Sequence, residues 1–177
     1  MSYISRIAFS TRGKAEKFQK KHGGKIITFE QAFKNQLSNP SSDVEKKPVE
    51  VKPRDKCPVC GMFVAKYPKW IAQIIFKDDT YAVFDGAKDM FKYYFNMNKY
   101  NPSKRGSDIF AIYVTEYYST NLMEAERLFF VQGSNIYGPM GKELIPIATE
   151  KRAMEFLNDH HGKKILRFNE VTMEELK

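Results

Sequence analysis

Cys57-Pro58-Val59-Cys60-Gly61-Met62 gathers both cysteines of the chain and a third sulfur within six residues. Thiolate and thioether sulfurs are the donors that select a soft ion such as Cu(I), and cysteines at this spacing can reach one ion without help from distant chain. A soft-metal site is the leading reading. Zinc is an alternative, but a closed zinc site takes four ligands and a cysteine pair supplies half of them. No second pair exists, and His22, His160 and His161 fall at the ends of expected helices, far from the pair in sequence. A thioredoxin-type redox motif would put its second cysteine in the first turn of a helix. Here Gly61, then Met62-Phe63-Val64 and Pro68, read instead as a turn entering a strand. A small disulfide clip or two inert thiols is the plain remaining reading.

Other sulfurs need sorting among the eight methionines. Met90 falls on the apolar stripe of an expected helix, where a thioether fills core more often than it ligates. Met140 sits in Gly138-Pro139-Met140-Gly141, a tight turn that presents the side chain to a neighbour or a ligand. Met97, Met123, Met154 and Met173 have no such context. Asp85 and Glu116-Tyr117-Tyr118 lie at expected strand ends, where surface polarity explains them as well as a site does. The histidines suit helix C-termini, where a partly positive imidazole meets the helix dipole. No Ser/His/Asp set, P-loop or paired-carboxylate motif is visible, and nothing demands catalysis.

The 177 residues suffice for one medium domain or two small ones. Hydrophobic, aromatic and charged contents of 42%, 14% and 28% describe a globular chain and exclude disorder throughout. The formal charge of +8 would suit an anionic partner, but the lysines are scattered among acidic residues, so solubility explains them and no nucleic-acid partner is expected. No run approaches a membrane span, and the first residues form no signal-peptide core.

The elements that must hold the sulfur cluster alternate strands and helices. Residues 1–37 read as strand (Ile4, Ile7, Phe9), helix (Ala15, Phe18), strand (Lys25-Ile26-Ile27) and helix (28–37), with Ser10-Thr11 and Thr28 as caps and Gly23-Gly24 as a helix stop. Residues 38–56, with Pro40, Pro48 and Pro53 and almost no large apolar residue, read as a linker. Beyond it come a hairpin (70–84, turning at Asp78-Asp79), a helix capped by Asp85 with Ala87, Met90, Phe91, Tyr94 and Phe95 at helical spacing, and strands at 109–115, 127–132 and 143–148. A helix capped by Thr149, a strand at 165–168 and a last helix from Thr172 close the chain. Ala15, Phe18, His22 and Gly24 match Ala153, Phe156, His160 and Gly162 at identical spacing, which reads as a degenerate repeat. The fold class is α+β, two small strand-strand-helix-strand units (about 57–115 and 116–177) preceded by a helix-strand-helix extension resembling the end of a third.

The ordered set Cys57-Pro58-Val59-Cys60-Gly61-Met62, Ala72-Gln73-Ile74, Phe84-Asp85, Met90-Phe91, Val114, Gly138-Pro139-Met140-Gly141, and Ala153, Phe156, Gly162, Ile165, Leu166 and Phe168 resembles the NosL family of copper accessory proteins of nitrous oxide reductase maturation. It covers roughly two thirds of the chain, as residues 57–168. The resemblance implies a paired ββαβ fold related to part of the organomercury lyase MerB. It implies Cu(I) as the bound ion, with nitrous oxide reductase or another copper-accepting maturation protein as partner and the periplasm as location. By position, the implied ligands are Cys60, Met62 and Met140, with Cys57 an alternate and Met90 a weaker one. The chain departs from the family twice. The lipoprotein signal that would anchor it to a membrane is not visible, and residues 1–37 look like the remnant of a duplicated domain without its sulfur motif.

The expected function is therefore a non-enzymatic Cu(I) metallochaperone. The competing reading is an interaction domain whose cysteines form a structural zinc half-site or clip. A thiol-based enzyme acting on metal-organic substrates ranks last, because no acid or base lies beside the cysteines in sequence.

Overall fold

A computed structural model describes residues 7–28 and 47–176. The chain divides into two compact units, Met1–Glu45 and Lys46–Lys177.

In the first unit, helix α1 spans Arg12–His22 and stops where Gly23 takes φ +74°, its N–H bonding the Gln19 carbonyl. Glycine bears that left-handed geometry without a Cβ penalty. Phe18 packs between Phe9 and His22, with ring centroids at 5.2 and 4.5 Å. Thr11 is the N-cap residue, but its side chain makes no capping bond. Lys25-Ile26-Ile27 is not a strand. A strand needs a partner for its ladder, and among the described residues nothing pairs with it. Most of the expected strand at 4–9 and the helix at 28–37 lie outside the described residues.

The second unit is α+β and holds two sheets of one design. Strands β1 (Ala72–Phe76) and β2 (Tyr81–Phe84) form a hairpin, helix α2 (Ala87–Phe95) and the single turn α3 (Met97–Tyr100) follow, and β3 (Ile109–Thr115) returns to the far side of β1. The hairpin turns at Asp79, whose φ is +67°. A short β4 (Leu122–Glu124) extends this sheet to the order β2-β1-β3-β4, so the first sheet runs past the expected boundary at 115. The second sheet repeats the plan: β5 (Phe129–Gln132), β8 (Ile145–Ile147), helix α4 (Glu150–Asp159) and β9 (Lys164–Arg167), in the order β8-β5-β9. In both, the first strand is central, the second and last flank it antiparallel, and the helix joins them. Between β5 and β8 a small hairpin is inserted, β6 (Tyr137–Gly138) with β7 (Gly141–Lys142).

The two sheets share a core through β5. Its alternating side chains send Phe130 into the larger cluster with Phe91, and Phe129 and Val131 into a second with Ile145, Ile147, Ala153 and Phe156. Phe91 of α2 meets the Phe130 and Phe168 rings at 5.1 and 5.0 Å, so one helix seals both halves.

Residues 47–56, expected as the end of a linker, pack on the first sheet instead. Val49 and Val51 join its core, and the buried Gln73 amide of β1 takes the Val49 N–H at 2.9 Å and donates to the Val49 carbonyl at 2.7 Å. A central-strand glutamine with both functions satisfied acts as one more backbone pair, which polar composition cannot reveal.

The C-terminal half of the repeat has its expected helix. Thr149 accepts from the Arg152 N–H as an N-cap, and Phe156 stacks on His160 at 4.3 Å much as Phe18 does on His22. His161 takes the left-handed turn that Gly23 takes in the first unit. The helix expected from Thr172 is absent: residues 173–176 form turns, with Val171 before them and Leu176 at their end buried. Among the described residues no helix is long and apolar enough to cross a membrane.

Candidate metal centre

The six-residue sulfur segment folds as a closed turn. Gly61, at φ +79°, donates its N–H to the Cys57 carbonyl at 2.8 Å, and the Cys57 N–H bonds the Met62 carbonyl at 2.9 Å. Lys56 and Phe63 bridge across the base. The expected strand after it is reduced to that one bridge, because the chain goes straight into a 3-10 turn over Val64–Lys66. Cys60 precedes that turn and gains no helix terminus, so the thioredoxin reading lacks its physical basis. Both cysteines are free.

Helix α2 brings carboxylates to both sulfurs. The Cys60 thiol donates to Asp85 at 3.2 Å, and the Cys57 thiol lies 3.7 Å from Asp89 Oδ2. One donor atom from each of Cys57, Cys60, Asp85 and Asp89 falls within 4.8 Å of every other. Cys57, Asp85 and Asp89 are buried and Cys60 half-buried. Lys92 pairs with Asp89 at 2.9 Å. Burial chiefly pushes the Cys57 thiol above its ordinary range. Burial, with a further push from Asp85, raises Cys60 to about 11. These are protonated thiols at neutral pH, the reverse of an activated nucleophile. The carboxylates are nevertheless the acid and base groups that sequence reading did not find beside the cysteines.

Asp85 is not the N-cap of α2. Gly86 occupies that position in extended backbone, with no side-chain cap of its own. The cap comes from 55 residues away, where Glu143 Oε1 accepts the Lys88 N–H at 2.6 Å and the Leu144 N–H at 3.1 Å. At 86 a Cβ would meet Glu143 Cδ at 2.9 Å and an oxygen nearer still, so any larger residue there requires the Glu143 side chain to move. With the cap supplied remotely, Asp85 is released to face Cys60. Asp85 and Asp89, four positions apart across the helix start, then share the face turned to the sulfur turn.

The methionines among the expected ligands differ in exposure. Met62 is half-buried on the turn itself. Met90 is fully buried in the main core, as its place on the stripe implies. Met140 is 40% exposed in the two-residue loop between β6 and β7. That hairpin is tied to α2 by Glu143 and by Lys88 Nζ, which donates to the Lys142 carbonyl. His160 lies against the Phe156 ring and is not among the clustered donors. Sequence reading took Asp85 for a cap and passed over Asp89. The available signal was an aspartate at 89 beside Met90 and Phe91, within the apolar stripe of its helix.

Residues 48–176 match the family model described as NosL. Comparison with curated proteins gave no match. Among solved structures, the crystal structure of the copper chaperone NosL from Shewanella denitrificans is similar at 22% identity and a TM-score of 0.62, over 73% of this chain and 98% of that one. The solution structure of apo-NosL from Achromobacter cycloclastes aligns at 23% identity over 59% and 87%, with a TM-score of 0.43.

Proposed function

The chain belongs to the NosL family, and from that premise we propose that it is a copper metallochaperone, binding Cu(I) as cargo and passing it to an acceptor without catalysing a reaction. The observation that carries this reading is the closed turn that holds two free cysteines beside Met62. Cys60 and Met62 hold the ion, and Met140 or Cys57 completes a low-coordinate shell. A thiolate selects the soft ion, and a neutral thioether yields easily to an incoming ligand. Met140, on an exposed hairpin loop, is the sulfur an acceptor reaches most readily. Metal binding displaces the thiol proton that Cys60 donates to Asp85.

The acceptor is nitrous oxide reductase or a protein maturing its copper centres, and the setting is the periplasm, with membrane attachment through a lipoprotein anchor; the family resemblance supports these assignments. Residues 1–37, as a domain remnant without a sulfur motif, contribute partner contacts and hold no metal.

An anaerobic Cu(I) titration of reduced protein against a chromophoric Cu(I) chelator tests the reading. Binding that weakens in Cys60→Ser, Met62→Ala and Met140→Ala supports it. Binding unaffected by the methionine substitutions overturns the thioether-assisted site.

A further inference from the structure

Charge is spread less evenly around the sulfur turn than along the chain as a whole. Residues 47–69 carry Lys47, Lys52, Arg54, Lys56, Lys66 and Lys69 against Glu50 and Asp55, which is half of the chain's formal charge of +8. The sulfur turn lies in the middle of this segment. Asp55 folds back on its surroundings, accepting the Lys52 N–H at 2.9 Å and the Tyr81 hydroxyl at 3.4 Å.

Acids near the turn point inward and cations outward. Asp85, Asp89 and Glu143 are 0%, 1% and 4% exposed, whereas Lys56, Lys66 and Lys142 are exposed and Lys88 is half-buried. Lys56 Nζ and Lys66 Nζ lie 4.9 and 5.6 Å from the centroid of the Phe63 ring, so the ring holds both ammonium groups beside the turn. Lys88 and Lys142 meet where the β6–β7 hairpin is tied to the start of α2. Phe63, Tyr137 and Met140 are large apolar side chains left exposed among these cations. Aromatic and methionine side chains are enriched in protein interfaces, with charge kept to the rim.

A collar of positive charge hinders the capture of free metal cations, because like charges repel. It draws in and orients a negatively charged body. A lipid surface supplies such charge but no sulfur or imidazole to take the ion, and an accepting protein supplies these as well. We infer that the partner covering the sulfur turn is a protein with an acidic face around its own copper ligands, docked against Lys56, Phe63, Lys66 and the β6–β7 hairpin. This inference rests on the chaperone reading and adds the charge of the acceptor to it.

The test loads the full, reduced chain with Cu(I) and mixes it by stopped flow with two synthetic peptides. Both carry the same cysteine pair and a fluorophore that the bound ion quenches; one pair is flanked by glutamates and the other by lysines. At low ionic strength the glutamate peptide takes the ion about tenfold or more faster. The gap closes at ~1 M salt, where the screening length is about 3 Å. Lys56→Gln with Lys66→Gln narrows the gap while Cu(I) affinity, read by chelator competition, stays unchanged. Lys151→Gln with Lys163→Gln, an equal loss of charge at exposed positions beside the second sheet, leaves the gap as it was. Circular dichroism checks that each variant is folded. Equal rates for the two peptides, or a gap narrowed equally by both pairs of substitutions, overturn the inference and leave the chaperone reading standing. A chain that does not load with Cu(I) overturns both. Sedimentation with phosphatidylcholine vesicles, with and without phosphatidylglycerol, examines the lipid surface. Binding to the anionic vesicles that Lys56→Gln with Lys66→Gln abolishes, with peptide rates unaffected, overturns the inference in favour of a membrane.

Discussion

Glu143 Oε1 lies 2.6 Å from the backbone nitrogen of Lys88 and caps a helix that begins far from it in sequence. This bond joins the Met140 hairpin to the helix that carries Asp85 and Asp89. Burial raises the Glu143 carboxyl from 4.5 to about 8, outweighing the two N–H groups that lower it, and the negative charge of Asp89 adds to the rise.

The sign of the pH effect follows from that shift. Between pH 4.5 and 8 the folded state keeps a proton on Glu143 that the unfolded state has released. Stability therefore falls as pH rises through this window, by about 1.4 kcal/mol per pH unit for one proton. Glu143→Gln removes that slope and gains relative stability at the alkaline end. Urea unfolding of metal-free protein across the window, for both proteins, checks it.

Gly86→Ala forces a methyl group against the Glu143 carboxylate. The expected cost is about 1–3 kcal/mol for overpacking a buried site, read from the denaturation midpoint. An unchanged midpoint would show that Glu143 yields freely and does not pin the helix start.

Cys60 must lose a proton to bind metal, and its thiol lies at about 11. Below that value each thiolate ligand makes apparent Cu(I) affinity rise about tenfold per pH unit. Chelator competition at two or three pH values yields the slope, which equals the number of thiols deprotonated on binding. A slope near zero excludes thiolate ligation.

Gln73 holds both backbone groups of Val49. Replacing it with leucine leaves that N–H and carbonyl unpaired against a buried strand, at a cost of about 1–3 kcal/mol per unsatisfied group. Residues 47–56 should then open to protease ahead of the sheets. Limited proteolysis that cuts wild type and variant alike would place this segment's anchoring elsewhere.

Phe91 touches both Phe130 and Phe168. Phe91→Ala should cost about 3–5 kcal/mol and loosen both halves together. Hydrogen exchange that quickens in only one sheet would show that the halves are stabilised separately.

The sequence by itself determined the elements whose signals are local: the hairpin at 70–84, the helix stripe of Met90 and Phe91, the Thr149 cap and the sulfur turn. Periodicity and turn chemistry act over a few residues, and each of these appears where its pattern stands. Doubling of the ββαβ plan was also legible, since each unit repeats the same order of local signals. The outcomes at 25–27, 47–56 and 172–175 depended on partners in space. A strand forms only with a ladder beside it, which Ile165 and Leu166 have from β5 and Ile26 and Ile27 lack among the described residues. Val49 became part of a domain because Gln73 accepts its backbone. The site divided in the same way. Cys57, Cys60 and Met62 are adjacent in the chain, so spacing announced them. Asp85 read as the helix cap and Asp89 was passed over, whereas the fold caps the helix remotely from Glu143 and sets both acids beside the thiols. Hydrogen bonds across 55 residues leave no periodic trace in sequence, so tertiary structure alone decided which acids face the sulfurs.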